Sequence, residues 1–402
     1  MTSPDVGRLL RARALRAFGD GFVALLLPVY LIDLGLTPFQ VGVIATGTLL
    51  GSGALTLLVG MHAWRLRYRT LLLAATALMA ATGVGFAATT EFWPLLVIAV
   101  IGTLNPSSGD VSVFLPLEQA LLAQLAPDRQ RTAIFARYSL VGAFVGALGA
   151  MCAGLPDLLT AQFGLTHRTA LQAMFLLYGG LGAVSALVYR RLPARSTVEA
   201  GVRVAPLTRS RRIVYTLATL FSLDAVAGGF IVQSMLALWL FQRFHLSVAV
   251  AGTIFFWTGL LSALSYLVAV RISARIGLVR TMVFTHLPSS LLLLMVPFVD
   301  DLTIVIALLL ARSALSQMDV PTRTSYVMAV VTPGERAAAA SITSVPRSLA
   351  SATSPLLAGY LLGVSSFGWP LIVAGGLKIV YDLLLLTTFG KVRPLEETTR
   401  GP

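Results

Sequence analysis

The residues best placed to do chemistry in this sequence are charged side chains inside long apolar segments. There are eleven: Asp20, Asp110, Glu118, Arg137, Asp224, Arg312, Asp319, Arg323, Arg347, Lys378 and Asp382. A carboxylate that loses its counter-ion can take up a proton, and a guanidinium can bind a carboxylate or phosphate through two parallel hydrogen bonds. The sequence has no nucleophile–base constellation, no HExxH and no phosphate-binding GxxxxGK[ST] loop. The charges therefore indicate proton exchange or anion binding rather than an enzyme or an ATP-driven pump.

The segments around these charges have the composition of membrane spans. Of the 402 residues, 56% are apolar and 12% are charged, whereas a soluble domain carries about 25% charged residues. The excess of 30 Lys and Arg over 17 Asp and Glu fits basic loops on one side of a bilayer better than nucleic-acid binding. Cys152 is the single cysteine and the four histidines have no ligand spacing, so we expect no disulfide within the chain, no metal site and no cofactor.

Charges, Pro and Gly clusters and short polar turns divide the chain into twelve predicted transmembrane helices. A helix needs about 20 apolar residues to cross the hydrocarbon layer. The predicted spans are 15–35, 40–61, 70–88, 93–124, 133–154, 169–189, 213–242, 246–269, 279–299, 302–330, 337–363 and 367–389. We therefore expect an all-α integral membrane protein with an N-terminal six-helix half at 1–190, a cytoplasmic basic linker at 191–212 and a C-terminal six-helix half at 213–402.

The basic residues fall almost entirely on one side of these spans. If the N-terminus is cytoplasmic, 23 Lys and Arg residues lie in cytoplasmic segments, and only Arg168 and Arg243 lie in outside turns. Loops rich in Lys and Arg stay on the cytoplasmic side of membrane proteins. Both termini are therefore predicted to be cytoplasmic, and we expect a multi-pass protein of the plasma (inner) membrane of a prokaryote.

The two halves are similar to each other in sequence. GDGFVALLLPVYL from Gly19 is similar to AGGFIVQSMLALW from Ala227, and LPLEQ from Leu115 aligns with VPTRT from Val320. Twelve spans in two parallel halves joined by a basic loop resemble the major facilitator superfamily, over nearly the whole chain. The resemblance implies that spans 1, 4, 7 and 10 line a central cavity. It also implies transport by alternating access, and the nearest subtype in character is the drug:proton antiporters.

The local motifs of that superfamily are present in degraded form. Its loop motif is G-x-x-x-D-R-x-G-R-R; between spans 2 and 3 Gly60 and Arg65 match, but Trp64 replaces the aspartate. Between spans 8 and 9 Arg275 and Gly277 match, and the aspartate is again missing. The resemblance implies a conformational role for the four matching residues. The antiporter signature of span 5 keeps only its glycines, with no proline among them, and small residues at that spacing favour close helix packing. They are Gly142, Gly146, Gly149 and Gly154.

The resemblance gives the intramembrane charges two candidate roles. The candidates for proton coupling are Asp20, Glu118 and Asp224. The candidates for binding substrate or forming a gate are Arg137, Asp110, Gln317, Asp319, Arg323 and Arg347. Because buried charges usually pair with one another, we expect Asp20, Glu118 and Arg137 to form one cluster near the inner gate. That cluster would be either a structural clamp or a proton site.

Spans 4 and 10 are long, and both contain helix breakers, at Asn105-Pro106 and around Pro321. Interrupted helices at matching places in two repeats indicate a transport site, although a packing kink is equally consistent with Pro and Gly in membrane helices. In span 10, Asp319 and Arg323 are one turn apart and can pair.

The remaining charges of the second half have simpler predicted roles. Arg347 has no acidic neighbour within two turns of its own helix, so its candidate partners are Asp319 and Asp224. Lys378 and Asp382, one turn apart, are interpreted as a local neutralising pair. The histidine at 286 is interpreted as a packed or capping residue.

Secondary active transport of a small solute, coupled to protons, is the function that these features favour. Acidic Asp20 and Asp224 favour efflux of a drug-like or amphipathic compound. Its apolar cavity walls would be Phe22, Tyr30, Trp239, Phe255, Phe256 and Trp257. The alternative is uptake or exchange of an anionic metabolite bound by intramembrane arginines. A non-transporting sensor or scaffold would have no need for charges at this depth. We expect a monomer whose partners are a small molecule, protons and the lipid bilayer, with no nucleic acid.

Overall fold

The computed structural model describes residues 4–62, 67–107, 112–125, 128–193, 210–332 and 335–390. Across these residues the chain forms sixteen α-helices and no β-strand. The helices are α1 (Pro4–Asp33), α2 (Pro38–His62), α3 (Tyr68–Ala88), α4 (Phe92–Ile101), α5 (Phe114–Leu125), α6 (Asp128–Met151), α7 (Leu155–Phe163), α8 (His167–Tyr189), α9 (Arg211–Gly229), α10 (Gln233–Phe244), α11 (Val248–Ile276), α12 (Leu278–Met295), α13 (Leu302–Ser316), α14 (Asp319–Val330), α15 (Arg336–Val364) and α16 (Trp369–Phe389). The predicted all-helical fold is confirmed.

Ten helical segments in the described part of the chain are long and apolar enough to cross a membrane. Every predicted span coincides with helix, but the fourth and the eleventh are not among these ten. The fourth is divided, and its first part, α4, has only 10 residues. The eleventh coincides with α15, which has 29 residues and is rich in serine and threonine. The count of twelve spans and the orientation of the termini therefore stay predictions.

Spans 4 and 10 are interrupted at the predicted places. After α4, the Asn105 side chain accepts hydrogen bonds from the backbone N and the Oγ of Ser107, at 3.0 and 2.8 Å. Such side-chain bonds stabilise a turn in place of the next helical turn. Between α13 and α14 the break falls at Gln317 and Met318. Pro321, in the first turn of α14, has no N–H to donate to a carbonyl of the preceding turn.

A third interruption divides the seventh predicted span, for which the sequence predicts one continuous helix. It separates α9 from α10 at Phe230, Ile231 and Val232. The backbone N of Ser234, at the start of α10, then donates to the carbonyl of Pro106 at 3.1 Å. The irregular segment after α4 and the start of α10 therefore satisfy each other's backbone hydrogen bonds.

The helices group into two compact units, of which the first comprises Met1–Gly201 and Val232–Phe256. In this unit α1 packs against α6 and α8, and α3 packs against α8. A Cβ on Gly21 would lie 2.0 Å from the carbonyl oxygen of Gly146, and one on Gly149 would lie 2.1 Å from that of Phe18. Glycine is thus required for the backbones of α1 and α6 to touch, and the close packing predicted for the glycines of span 5 is present.

The second unit comprises Val202–Ile231 and Trp257–Pro402. In it α9 packs against α15 and α16, and α12 packs against α13 and α16. The α9–α15 contact is also close, because a Cβ on Gly229 would lie 2.3 Å from the carbonyl oxygen of Ser351. Ser354 Oγ donates to the carbonyl of Val226 at 2.7 Å. The apolar core of this unit includes Val214, Leu217, Phe221, Met282, Val283, Tyr326, Tyr381, Leu385 and Phe389.

Candidate functional site

A buried carboxylate of the first unit, Glu118, accepts hydrogen bonds from three other helices. Arg16 Nη2 on α1 and Tyr138 Oη on α6 both donate to Oε2. Tyr189 Oη, at the end of α8, donates to Oε1 at 2.6 Å. Arg16 also donates from Nε to Tyr189 Oη at 3.2 Å. We call Arg16, Glu118, Tyr138 and Tyr189 the Glu118 cluster; it joins α1, α5, α6 and α8.

The Glu118 cluster compensates both of its charges. The Glu118 side chain is fully buried, and Arg16 is only 1% exposed. The Arg16 guanidinium lies over the ring of Phe114, 4.0 Å from its centroid, and cation–π contact of this kind is favourable in a desolvated site. Three hydrogen-bond donors, one of them cationic, satisfy the oxygens of the Glu118 carboxylate. Glu118 is therefore built as a counter-ion in this conformation.

Asp20 lies one turn from Arg16 on α1 and has a different environment. Its side chain is 5% exposed, and it forms no hydrogen bond or ion pair with another residue of the described part of the chain. Arg16 and Arg13 lie near enough to act on it electrostatically. Arg13 is itself buried, and its Nε and Nη1 atoms have no hydrogen-bond partner among the described residues. Its guanidinium lies 5.3 Å from the centroid of the Tyr138 ring.

The second unit contains a larger ionic cluster, in which Asp224 on α9 binds two cations. Lys378 Nζ on α16 donates to its Oδ1 at 2.8 Å. Arg323 Nη1 on α14 donates to its Oδ2 at 3.1 Å. Arg323 also reaches Asp319, one turn away, at 3.4 Å. The predicted Asp319–Arg323 pair is present, and Asp224 extends it to two further helices.

The cluster continues through His286 on α12 to Asp382 on α16. His286 Nε2 lies 3.3 Å from Lys378 Nζ, and Nδ1 lies 3.0 Å from Asp382 Oδ2. The prediction that Lys378 and Asp382 pair mainly with each other is wrong. Lys378 donates to Asp224, and Asp382 contacts His286. All six side chains are buried, from 0% exposed at Asp382 to 8% at Lys378. The Asp224 cluster is therefore Asp224, His286, Asp319, Arg323, Lys378 and Asp382.

Arg347 acts electrostatically on this second cluster, and Gln317 lies two residues before Asp319 in the chain. On α15, Arg347 precedes Ser351 and Ser354, which contact α9, and its charge acts on Asp224. Asp224 was one of the two partners predicted for it. Gln317, at the end of α13, accepts a hydrogen bond from Tyr266 Oη at 3.3 Å.

Other candidate residues are not brought into either cluster. Arg137 is exposed on α6, so the predicted cluster of Asp20, Glu118 and Arg137 is wrong about its cation, which is Arg16. Helical phase explains the difference, because the adjacent residue, Tyr138, takes the inward position. Asp110 lies outside the described residues.

Three of the six aromatic residues expected to form cavity walls are instead fully buried. Phe22, Tyr30 and Trp239 are each 0% exposed within the first unit. Tyr30 Oη donates to the carbonyl of Phe86 at 2.9 Å, which satisfies its one polar atom inside the packed helices. These side chains hold the unit together rather than lining an open wall.

Two ionic clusters held by interrupted helices, one in each unit, are accompanied by a sequence match over both halves. The family model described as Major Facilitator Superfamily matches residues 9–233 and 215–401. The chain belongs to the major facilitator superfamily. It is therefore an integral, multi-pass membrane protein, and membership indicates a transporter rather than an enzyme.

Comparisons with individual proteins agree with this superfamily fold. Uncharacterized membrane protein YJR124C of Saccharomyces cerevisiae is 25% identical over 96% of this chain and 94% of its own length. The nucleoside transporter NupG, in a mutant form, has a TM-score of 0.76 at 13% identity, covering 96% of this chain and 100% of its own. An inward-facing, occupied bacterial homologue of the human lysosomal transporter Spinster has a TM-score of 0.75 at 16% identity, covering 96% and 97%. The human organic anion transporter MFSD10 (TETRAN) has a TM-score of 0.66 at 18% identity, covering 96% and 100%.

Two of the four superfamily loop residues, Arg275 and Gly277, lie where α11 meets α12, and the structure describes both. Gly277 has a φ of 87°, a conformation that a side chain disfavours, and it joins the two helices directly. Arg275 is exposed in the last turn of α11. Gly60 lies in α2, and Arg65 lies outside the described residues. The glycine at 277 thus has a local structural reason independent of any conformational role.

Sequence reasoning missed the residues that complete the two clusters. The distribution of basic residues predicts a cytoplasmic position for Arg13 and Arg16, and in the structure both are buried on α1, which begins at Pro4. The available signal was their spacing, since Arg13, Arg16 and Asp20 recur at three and four residues on one helical face. The contacts of Lys378 with Asp224 and of His286 with Asp382 carry no such signal, because in each pair the two residues lie on different helices.

The sequence similarity between the two halves aligns the ion pair Arg16–Glu118 with the ion pair Asp224–Arg323. The positive and negative positions are exchanged between the two pairs. The similarity of GDGF at Gly19 to AGGF at Ala227 aligns Arg16 with Asp224. The alignment of LPLEQ with VPTRT places Glu118 opposite Arg323. Arg16–Glu118 and Asp224–Arg323 are therefore equivalent pairs, each joining the first helix of its half to the second part of an interrupted helix.

Proposed function

We propose that this chain is a proton-coupled secondary active transporter of a small organic solute, working by alternating access. The observation that carries the coupling is Asp20, a buried carboxylate that accepts no hydrogen bond from the described residues. An ionised carboxylate in such a place is unfavourable without a close cation, and Arg16 is engaged with Glu118. Proton binding to Asp20, and its loss when Arg16 or Arg13 approaches, would link protonation to helix movement.

The other two coupling candidates suit this role less well in the same conformation. Glu118 has three donors, and Asp224 binds both Lys378 and Arg323. A carboxylate compensated in this way stays ionised until its partners leave. We therefore propose that Asp20 binds the coupling proton. Glu118 and Asp224 serve mainly to hold the helices of their units together in this conformation.

For the substrate we propose a drug-like or amphipathic compound that is exported across the plasma membrane. An acidic residue at Asp20 and the near-neutral clusters favour a neutral or cationic molecule over an anion. A second candidate, an organic anion, is favoured by one observation: two nitrogens of the buried Arg13 guanidinium have no hydrogen-bond partner in the part of the chain that the structure describes. Among proteins of the same fold, the names of relatives include both a nucleoside transporter and an organic anion transporter.

Two successive measurements test the proposal. First, the purified protein is screened with amphipathic cations, neutral compounds and organic anions for a rise in melting temperature, because a bound solute stabilises the folded state by mass action. Second, the stabilising compound is given to proteoliposomes with and without an imposed pH gradient. We expect transport that follows the gradient and collapses with a protonophore. Transport of equal rate in both conditions would contradict proton coupling, and stabilisation by anions alone would select the second candidate.

A further inference from the structure

The histidine of the Asp224 cluster has its two ring nitrogens in opposite roles. Lys378 Nζ can only donate hydrogen bonds, so His286 Nε2, 3.3 Å away, is the acceptor. The ring proton then resides on Nδ1, which donates to the carboxylate of Asp382 at 3.0 Å. The geometry thus fits an imidazole with its proton on Nδ1, held between an ammonium and a carboxylate.

The charges around this imidazole favour a further proton once the ammonium is removed. Asp224 on α9 lies 3.7 Å from Nε2, and Asp382 and Tyr381 face the ring from α16, the latter ring to ring at 5.9 Å. On α14, Arg323 and Asp319 act through Asp224. The charged groups of the other neighbouring helices are Arg347 on α15, which acts on Asp224, and the half-buried Arg312 on α13. With His286 neutral, the Asp224 cluster holds three aspartates against Arg323 and Lys378.

We propose that His286 is a proton-binding site of the second unit, which takes up a proton at Nε2 when Lys378 leaves it. The hydrogen bond from Lys378 to Nε2 breaks, and a proton from water forms the new Nε2–H bond. Lys378 keeps its own three protons, and no electrons are transferred. The imidazolium then faces Asp224 with Nε2–H and replaces the ammonium as its cation.

This exchange links the position of Lys378 to proton uptake. While Lys378 occupies its present place, a proton on Nε2 would point at an ammonium and is excluded by repulsion. When Lys378 moves away, the same site becomes the acceptor nearest to Asp224. The coupling role of this step rests on the proposed function, whereas the protonation chemistry itself can be measured without any transport.

The test is nuclear magnetic resonance of the purified full-length protein with ¹⁵N-labelled histidine, followed from about pH 5 to 8, where imidazoles ordinarily change charge. The His286→Asn variant identifies the signal that belongs to this ring. The His167→Asn variant is the matched control, because that side chain is 40% exposed, and it should remove a different signal. In the parent protein we expect the His286 signal to remain that of the neutral Nδ1–H form throughout.

The ammonium is then removed with Asp224 left in place, by Lys378→Met together with Asp319→Asn. These two substitutions remove one positive and one negative charge, so the net charge of the cluster is unchanged, and Arg323 keeps Asp224 as its partner. We expect the His286 signal of this double variant to convert to imidazolium within the same pH range, with one proton bound. An Nε2–H form, or titration, of His286 in the parent overturns the proposal, and so does a ring that stays neutral in the folded double variant. These outcomes do not depend on whether transport is driven by protons, so a failure here is distinct from a failure of the proposed function.

Discussion

Asp20 on α1 lies one helical turn from Arg16, the partner of Glu118, yet the environments of the two carboxylates favour different chemistry. Glu118 has three donors from three helices, whereas Asp20 accepts no hydrogen bond from the described residues and is attracted electrostatically by Arg16 and Arg13. The number of donors to the charged form decides how easily a carboxylate takes a proton. Substitution at these two positions should therefore have different effects.

Asp20→Asn should abolish transport driven by a pH gradient and leave counterflow exchange intact. Exchange requires alternating access with substrate bound but no net proton movement, and asparagine mimics the protonated carboxylate in size and shape. Both activities are measured in proteoliposomes with the compound identified by stabilisation. Asp33→Asn is the control, since this carboxylate at the end of the same helix pairs with Arg168 at 3.1 Å and is partly exposed. Loss of exchange in a folded Asp20→Asn protein would instead make Asp20 a substrate ligand.

Glu118→Gln should lower the free energy of unfolding by about 3–5 kcal/mol, because it leaves the buried Arg16 without its counter-ion. Denaturant unfolding in detergent measures the loss. Adding Arg16→Gln to Glu118→Gln should recover much of it, since neither member of the Arg16–Glu118 pair then carries an uncompensated charge. If the double variant is as unstable as the single one, the ion pair is not the source of the stability, and packing around the tyrosines would be.

Helix packing in both units depends on places where backbones touch. α1 meets α6 through Gly21 and Gly149, and α9 meets α15 through Gly229. These contacts set the rotation and depth of α1 and α9, and hence the positions of Arg16 and Asp224. The glycines therefore act on the two clusters indirectly, by allowing the helices to approach.

Gly149→Ala should destabilise the protein by about 1–3 kcal/mol, the range found for overpacking, because the added Cβ would lie 2.1 Å from the carbonyl oxygen of Phe18. Thermal unfolding of the purified variant measures the change. Gly180→Ala on α8 is the matched control: it is also in a helix, and a Cβ there meets nothing within 4 Å. We expect the control to be neutral or slightly stabilising, since alanine is the better helix former. Equal stability of the two variants would contradict the close α1–α6 contact.

At the level of the whole molecule, the repeat relates two units of opposite electrostatic design. The pair Arg16–Glu118 is reversed as Asp224–Arg323, on the equivalent helices. A duplicated fold fixes the helix positions, but it leaves the sign of each charge open so long as the pair stays neutral. In the second unit, Asp224 has the further neighbours Lys378 and His286, and His286 contacts Asp382.

Orientation in the membrane is predicted by the distribution of basic residues. A reporter fused after Arg203 should be cytoplasmic, and one inserted at Thr89–Thr90, between α3 and α4, should be external. The physical reason is the positive-inside rule, applied to 23 basic residues in segments on one side and two on the other. Protease protection or a paired phosphatase and fluorescence reporter gives the readout. An external position for Arg203 would overturn the assignment of both termini.

The sequence alone determined the membrane class, the helices, the interruptions of spans 4 and 10 and the superfamily, because apolar length, helix breakers and repeats are properties of consecutive residues. It also predicted the Asp319–Arg323 pair, whose partners share one helix. Tertiary structure decided the other partners: Arg16 rather than Arg137 for Glu118, and Lys378 with Asp224 rather than with Asp382. These choices depend on how far each helix is rotated and where it crosses its neighbours. That geometry is set by close contacts between residues far apart in the chain, such as Gly149 against Phe18. The periodicity of residues along one helix does not predict such contacts.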